Sequence, residues 1–201
     1  MPRRTSGLVL AAGGSSRLGR PKQLLPFGDT TLLGHTLATA RACNFDQLIC
    51  VVGGAADDVK ASVDLAGIDV VENTQFGTGC SSSVAAALTV VDEDSDVLVL
   101  LLGDQPGVTP ATVGALLDGR GDAPMAVCAY EDGRGHPFAF ARSMFGELAG
   151  MHGDKAVWKL LERHGDEVAE VQVPGPVPLD VDTWEDYEAV RPAVPGSAPT
   201  G

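Results

Sequence analysis

The stretch Leu8-Val9-Leu10-Ala11-Ala12-Gly13-Gly14-Ser15-Ser16-Arg17-Leu18-Gly19-Arg20-Pro21-Lys22 restricts the fold more than any other part of the chain. Its apolar beginning, Leu8 to Ala12, reads as a buried strand, and it empties into a loop with three glycines, two serines and three cations. Such a strand and loop belong at the edge of an α/β sheet. Glycines let backbone N–H groups approach a bound phosphate, and Arg and Lys supply the opposing charge. An ordinary surface loop with a few cations is the alternative. The density of glycine, with Arg17 and Lys22 directly after a buried strand, favours phosphate binding.

Two common phosphate-loop templates do not fit. Gly14 to Gly19 has the glycine spacing of a P-loop, but Arg20-Pro21 stand where Lys-Ser/Thr should be. Lys22 arrives two residues late, and Pro26 and Gly28 forbid the long helix that must follow. The G-x-G-x-x-G dinucleotide fingerprint is absent as well.

Strand-like and helix-like stretches alternate to the end of the chain, which predicts a mostly parallel sheet with helices on both faces. Helices are expected over Leu32 to Cys43, Ala55 to Leu65, Ser81 to Val91, from Thr109-Pro110, over Asp154 to His164, and from Thr183 to Arg191. Strands are expected at Leu48 to Val52, Ile68 to Val71, Val97 to Leu102, Ala126 to Tyr130, Val168 to Val173 and Leu179 to Val181. Phe138 to Ala141 is expected as a short antiparallel strand. Val97 to Leu102 is apolar on both faces and so belongs mid-sheet. Residues 1–191 are expected to form one domain, and 192–201, with no charged side chain and no apolar periodicity, a disordered tail.

A chain of 201 residues, 44% hydrophobic, can bury a sizeable core. Its net charge of −13 argues against nucleic acid or an anionic membrane as partner, and no apolar run approaches a membrane span. An acidic protein that binds nucleotide must concentrate its cations locally, and Arg17, Arg20 and Lys22 form such a cluster in the sequence. Cys43, Cys50, Cys80 and Cys128 show neither a C-x-x-C pair nor a zinc spacing, so they are read as free thiols of a cytoplasmic protein, with Cys80 alone outside apolar surroundings. The four histidines are too scattered for a transition-metal cage.

Asp104 directly follows the most buried strand, where open α/β sheets bind ligands. A magnesium ligand and a cap for the next turn are both consistent with it. Asp180 and Asp182 would point to opposite faces of a regular strand, so only one could line a site.

The run Leu10 to Pro26 matches L-A-A-G-x-S-S-R-x-G-x-P-K-x-L-L-P and resembles the signature loop of MobA-like nucleotidyltransferases, within them the molybdenum cofactor cytidylyltransferase (MocA) branch. The resemblance recurs at Gly103-Asp104-Gln105-Pro106, Gly135-His136-Pro137 and Asp180-Val181-Asp182-Thr183. It implies a three-layer Rossmann-like nucleotidyltransferase fold. It also implies an activity: Mg²⁺-dependent transfer of NMP, most readily CMP from CTP, to a phosphorylated acceptor such as molybdopterin. Nucleotide binding then falls to Leu10, Ala11, Ala12, Gly13, Gly14, Ser15 and Ser16, and the catalytic cations are Arg17 and Lys22. Asp104 and Asp182 become the magnesium ligands, Ser81, Ser82 or Ser83 can meet base or ribose, and His136 and Lys155 face the acceptor. Relatives often read Gly-Asp-x-Gly-Ala-Arg where this chain has Gly153-Asp154-Lys155-Ala156-Val157-Trp158, which leaves the acceptor open. Three further readings are carried: the MobA-type guanylyltransferase, an NAD(P)H-dependent oxidoreductase of the nicotine blue type, and a non-catalytic nucleotide-binding or cofactor-handling protein, which the altered Gly153 to Trp158 segment permits.

Overall fold

The computed structural model describes residues 3–192. The expected tail therefore lies outside the described residues apart from Pro192. In chain order the elements are β1 (Thr5–Ala11), β2 (Pro26–Phe27), β3 (Thr30–Thr31), α1 (Leu32–Ala42), β4 (Gln47–Val52), α2 (Ala56–Ser62), β5 (Asp69–Glu72) and α3 (Cys80–Leu88). They continue with β6 (Val97–Leu102), α4 (Pro110–Arg120), β7 (Met125–Tyr130), β8 (Gly133–Ala141), α5 (Phe145–Ala149), α6 (Ala156–Arg163), β9 (Val168–Gln172) and α7 (Trp184–Val190).

Seven strands make one sheet in the order β5-β4-β1-β6-β8-β7-β9. All run the same way except β8, which is antiparallel to both β6 and β7. The apolar runs of β1 and β6 are continuous because helices cover both faces. Val9 and Leu101 pack on one side with Leu37 of α1 and Leu116 of α4, while Leu8 and Leu100 pack on the other with Val84 of α3 and Leu160 of α6. These are the three layers of an α/β Rossmann-like fold.

Helix starts follow the local chemistry. Thr31, Thr109 and Thr183 cap α1, α4 and α7 by accepting backbone N–H bonds, and Asp186 completes a capping box at α7.

A third, smaller core positions the site. Leu18, Leu25, Phe27, Leu32, Val181 and Tyr187 bury one another beneath the β2–β3 hairpin and α7. Arg17 is next to Leu18 and Asp182 is next to Val181, so this cluster ties the glycine loop and the 178–182 segment to one support.

Two expectations are corrected. Leu179 to Val181 is not a strand: it belongs to an irregular segment leading to α7, held by Val181 N–H donating to Asp104 O at 3.1 Å and by Gln105 Nε2 donating to Pro178 O at 3.0 Å. The antiparallel strand is longer than expected, running from Gly133 as the second arm of a β7–β8 hairpin.

Candidate active site

From β1 the sheet grows one way to β4 and β5 and the other way to β6, so the chain reverses direction between β1 and β6. A crevice opens at the carboxyl ends of strands at such a switch point. A cavity of about 330 Å³ lies there, walled by Leu10 to Gly14 after β1, Leu102 to Asp104 after β6, and by Asp180 and Asp182.

The glycine loop is clasped at both ends. Ser15 adopts a left-handed backbone (φ 49°), and its Oγ accepts from the Lys22 N–H at 2.9 Å. Gln23, only 4% exposed, donates from Nε2 to Ala11 O at 2.7 Å and Gly13 O at 3.0 Å. A buried carbonyl without a donor costs about 1–3 kcal/mol, so Gln23 is what lets the strand end in an open loop. Ser15 thus serves the loop through its side chain. Ser15 and Ser16 line a neighbouring hollow rather than the cavity, while Gly13 and Gly14 line both.

Lys22 is the centre of the charged constellation. Its Nζ contacts Asp104 Oδ2 and lies 2.8 Å from Asp182 Oδ1, with side chains 11%, 18% and 51% exposed respectively. Burial works against the ammonium, but Asp104 and then Asp182 more than offset it and hold Lys22 above the usual lysine range. Arg17 Nη1 reaches Asp182 Oδ2 at 3.5 Å from an exposed position. Burial, then the charge of Asp104, pushes the Asp180 carboxyl up to about 6.

The carboxylates Asp180 and Asp182 line the same cavity, contrary to the alternation expected of a strand, because the segment is irregular. The expected cation cluster is also spread out: among the described residues Lys22 is the single cation in the cavity wall, against Asp104, Asp154, Asp180 and Asp182, while Arg20 lines the neighbouring hollow. The crevice is therefore electronegative until a cation joins it.

Asp104 and Asp182 offer two oxygens that already share one positive charge, and among the described residues no group of three or more His, Cys, Asp or Glu is placed to hold a metal. That donor set suits Mg²⁺, which binds through one or two carboxylates and completes its shell with water and substrate phosphate.

Successive helical residues point about 100° apart, and the three serines of α3 separate accordingly. Ser83 lines the cavity, Ser81 is buried, and Ser82 Oγ accepts from Asn73 Nδ2 at 2.9 Å and donates to Gly79 O at 2.8 Å. Neither His136 nor Lys155 is in the cavity wall. Lys155 is exposed at the start of α6, beside Asp154, which does line the cavity. His136 stacks on Phe138 at 3.9 Å and meets Trp158 edge-on at 6.2 Å.

Burial pushes the His136 imidazole down to about 3. The unfolded chain takes up this proton below about pH 6.5, so its contribution to stability is full above that pH and is lost as pH falls toward the folded value, by at most about 1.4 kcal/mol per unit. The ring carbon and proton shifts of His136 are expected to stay flat between pH 5 and 8 in an NMR titration. A midpoint near 6.5 would show the ring to be solvated instead. His164, bonded to Glu147 and Glu167, is held above its ordinary value and serves as the internal contrast.

Gln23, Phe76, Cys80 and Asp154 carry no expectation from the sequence as parts of the site, and Asp180 is weighed there only as the alternative to Asp182. Phe76 is an exposed aromatic in a glycine-containing loop, a signal that was available; its ring lies against Gly54 at the edge of both hollows. Cys80, at the start of α3, points its Sγ at Asp154 O at 2.9 Å. Among the described residues no cysteine is disulfide-bonded, and no helix is long and apolar enough to cross a membrane.

A family model described as the MobA-like NTP transferase domain matches residues 7–168. A homologue of Mycobacterium tuberculosis Rv0371c from Mycobacterium sp. strain JC1 is 54% identical, with 92% of this chain and 94% of that one covered and a TM-score of 0.86. Rv0371c from M. tuberculosis H37Rv in complex with manganese is 49% identical, with 94% and 98% covered and a TM-score of 0.83. Nicotine blue oxidoreductase of Paenarthrobacter nicotinovorans is 34% identical over 140 residues, 66% of this chain and 68% of that protein.

Proposed function

We propose that this chain, which belongs to the MobA-like NTP transferase domain family, moves CMP from CTP to a phosphorylated acceptor and releases pyrophosphate. The observation that carries the reading is the meeting of Lys22 Nζ with Asp104 and Asp182 beside the glycine loop at the carboxyl ends of β1 and β6.

Such a transfer brings two anions together. An acceptor phosphate monoester already carries most of its second negative charge at neutral pH, so in-line attack on the α-phosphorus needs no general base. The acceptor oxygen–phosphorus bond forms as the bond to the bridging oxygen breaks, and pyrophosphate leaves. What the protein must supply is positioning and neutralisation of charge. Backbone amides of the Gly13–Ser16 loop hold the triphosphate, Lys22 meets the α-phosphate as charge develops, and Arg17 balances the outer phosphates. Asp104 and Asp182 would hold a divalent cation, Mg²⁺ in this reading, which when bound neutralises phosphate charge. The manganese complex of Rv0371c supports a divalent ion.

Of the three serines it is Ser83, which lines the cavity, that would meet the base or ribose in this reading. The preference for CTP over GTP rests on Gln105 after Asp104 and on Ala11-Ala12-Gly13, which resemble the MocA branch. A pterin-type molybdenum cofactor is the favoured acceptor, with His136 and Lys155 on its side. Trp158, where relatives often carry Arg, offers that side an aromatic face in place of a bidentate anion binder. Isothermal titration with Mg²⁺ is expected to show tighter binding of CTP than GTP, and CTP should release pyrophosphate only with a phosphorylated pterin acceptor. Tighter GTP binding would shift the reading to a guanylyltransferase.

The likeness to nicotine blue oxidoreductase favours a second reading, hydride transfer from NAD(P)H. It leaves the Lys22, Asp104 and Asp182 arrangement without a task. Reduction of a quinone-like dye by NADPH, independent of Mg²⁺, would support it over the first.

A further inference from the structure

We infer that Gln105 is a positioning residue: by holding the carbonyl of Pro178, its side chain sets where Asp182 stands against Asp104, and it does not itself meet the nucleotide base. The inference rests on the nucleotidyltransferase reading and adds to it a residue that acts through another.

Asp182 reaches the cavity on a segment that has no ladder to hold it. Pro174, Pro176 and Pro178 lack an N–H, and Leu179 to Val181 belong to no strand. The segment hangs instead from the turn after β6. Val181 N–H donates to Asp104 O at 3.1 Å, and Gln105 Nε2 donates to Pro178 O at 3.0 Å. The approach is close, since a Cβ at Gly107 would lie 3.3 Å from Pro178 Cβ. Upstream, Val177 N–H donates to Asp132 Oδ1 at 2.7 Å in an exposed position, where water competes for both groups. The tie to Pro178 is part-buried and comes from a side chain only 3% exposed, so water competes with it less.

Asp104 and Gln105 are consecutive, so a single turn presents one carboxylate and fixes the path of the other. The two carboxylates converge on one point, the Lys22 ammonium, which Asp104 Oδ2 contacts and Asp182 Oδ1 meets at 2.8 Å. Such convergence tolerates little slack: a displacement of about 1 Å can cost about a hundredfold in rate. Gly103 and Asp104 line the cavity and Gln105 does not, which keeps its amide away from a base held there. Met at this position keeps the length of the side chain and removes the donor. Glu keeps the shape and turns an oxygen toward Pro178 O, where no bond can form.

Amide exchange followed by NMR on the full chain tests the tie without any ligand. Gln105→Met should speed exchange at Val181 N–H about tenfold and leave Leu100 N–H of β6 as in wild type. Isothermal titration of CTP and of GTP, each with Mn²⁺, reads the consequence for the site. Both affinities should fall by about three- to tenfold, with their ratio kept within about threefold of wild type. Gln105→Glu should act in the same direction and more strongly, and circular dichroism identifies which variant keeps the fold. A folded variant whose Val181 N–H exchanges as in wild type overturns the inference. So does a loosened Val181 with no loss of affinity for either nucleotide, which would cut the link from Gln105 to Asp182. A CTP-to-GTP ratio shifted further would show Gln105 to read the base, and overturns it as well. Failure of wild type to bind either nucleotide removes the nucleotidyltransferase reading, while the exchange at Val181 still decides what Gln105 holds.

Discussion

Replacing Asp104 by Asn is expected to lower the proposed CMP transfer about a thousandfold or more while leaving the protein folded. The substitution keeps the shape of a side chain that is 18% exposed and removes the charge that Lys22 contacts and that the proposed divalent cation would share. Groups that stabilise charge in a transition state are worth about a hundred- to a thousandfold each, and losing a metal ligand compounds that with weaker metal binding. The backbone role of Asp104, accepting from Val181 N–H at 3.1 Å, is untouched by Asn, so the 178–182 segment keeps its anchor. Lys22 retains Asp182 at 2.8 Å, which limits the loss of stability to about 1–2 kcal/mol, below that for a fully orphaned buried charge. Asp182→Asn makes the comparison. Its side chain is 51% exposed and its partners Lys22 and Arg17 keep other neighbours or water, so a smaller loss, about a hundredfold, is expected. Steady-state kinetics with CTP and Mg²⁺, alongside urea unfolding of each variant, separates activity from stability. Near-normal turnover in Asp104→Asn would remove Asp104 from the metal site.

The family and the sheet were legible because their signals are local and strong. A continuous apolar run such as Val97 to Leu102 must be central, and the long motif from Leu10 to Pro26 is specific enough to point to the family. The region around Asp182 was misread for a reason that the sequence contains. Pro174, Pro176 and Pro178 lie within five residues and cannot donate to a ladder, which argues against a regular strand leading into Leu179. With that strand removed, nothing keeps Asp180 and Asp182 on opposite faces. The β2–β3 hairpin was passed over although Gly28-Asp29 is a two-residue turn signal, because its arms are two residues each. The early half of β8 hid behind its polar composition, Gly133-Arg134-Gly135-His136. Gln23 is different in kind. Its part is to satisfy the carbonyls of Ala11 and Gly13, a need created by how the strand ends and carried by no motif. The serine run shows the same limit: three identical side chains in sequence acquire three different surroundings once the helix turns.

Gly79→Ala is expected to destabilise the protein by about 3 kcal/mol or more and to weaken nucleotide binding with it. Gly79 holds φ 110° and ψ 167° at the start of α3, a conformation that side chains with a Cβ rarely adopt, and such strain costs about 1–3 kcal/mol. Sterics add to this. A Cβ at Gly79 would lie 2.8 Å from Asp154 N, Asp154 Oδ1 and the Gly153 carbonyl carbon, so backbone must move. The movement cannot be local, since Cys80 Sγ is 2.9 Å from Asp154 O and both Cys80 and Asp154 line the cavity. A chain of this size loses about 2–4 °C of Tm per kcal/mol, so a fall of about 6–12 °C is the expected reading in a thermal scan. Gly77→Ala, two residues earlier with open space around its Cβ and no positive φ, should leave Tm within about 2 °C of wild type. Because the strain and the contact are both specific to residue 79, equal stability of the two variants would show that the Gly79 loop is not held against Gly153-Asp154, and the cavity wall drawn from α3 to Asp154 would have to be redrawn.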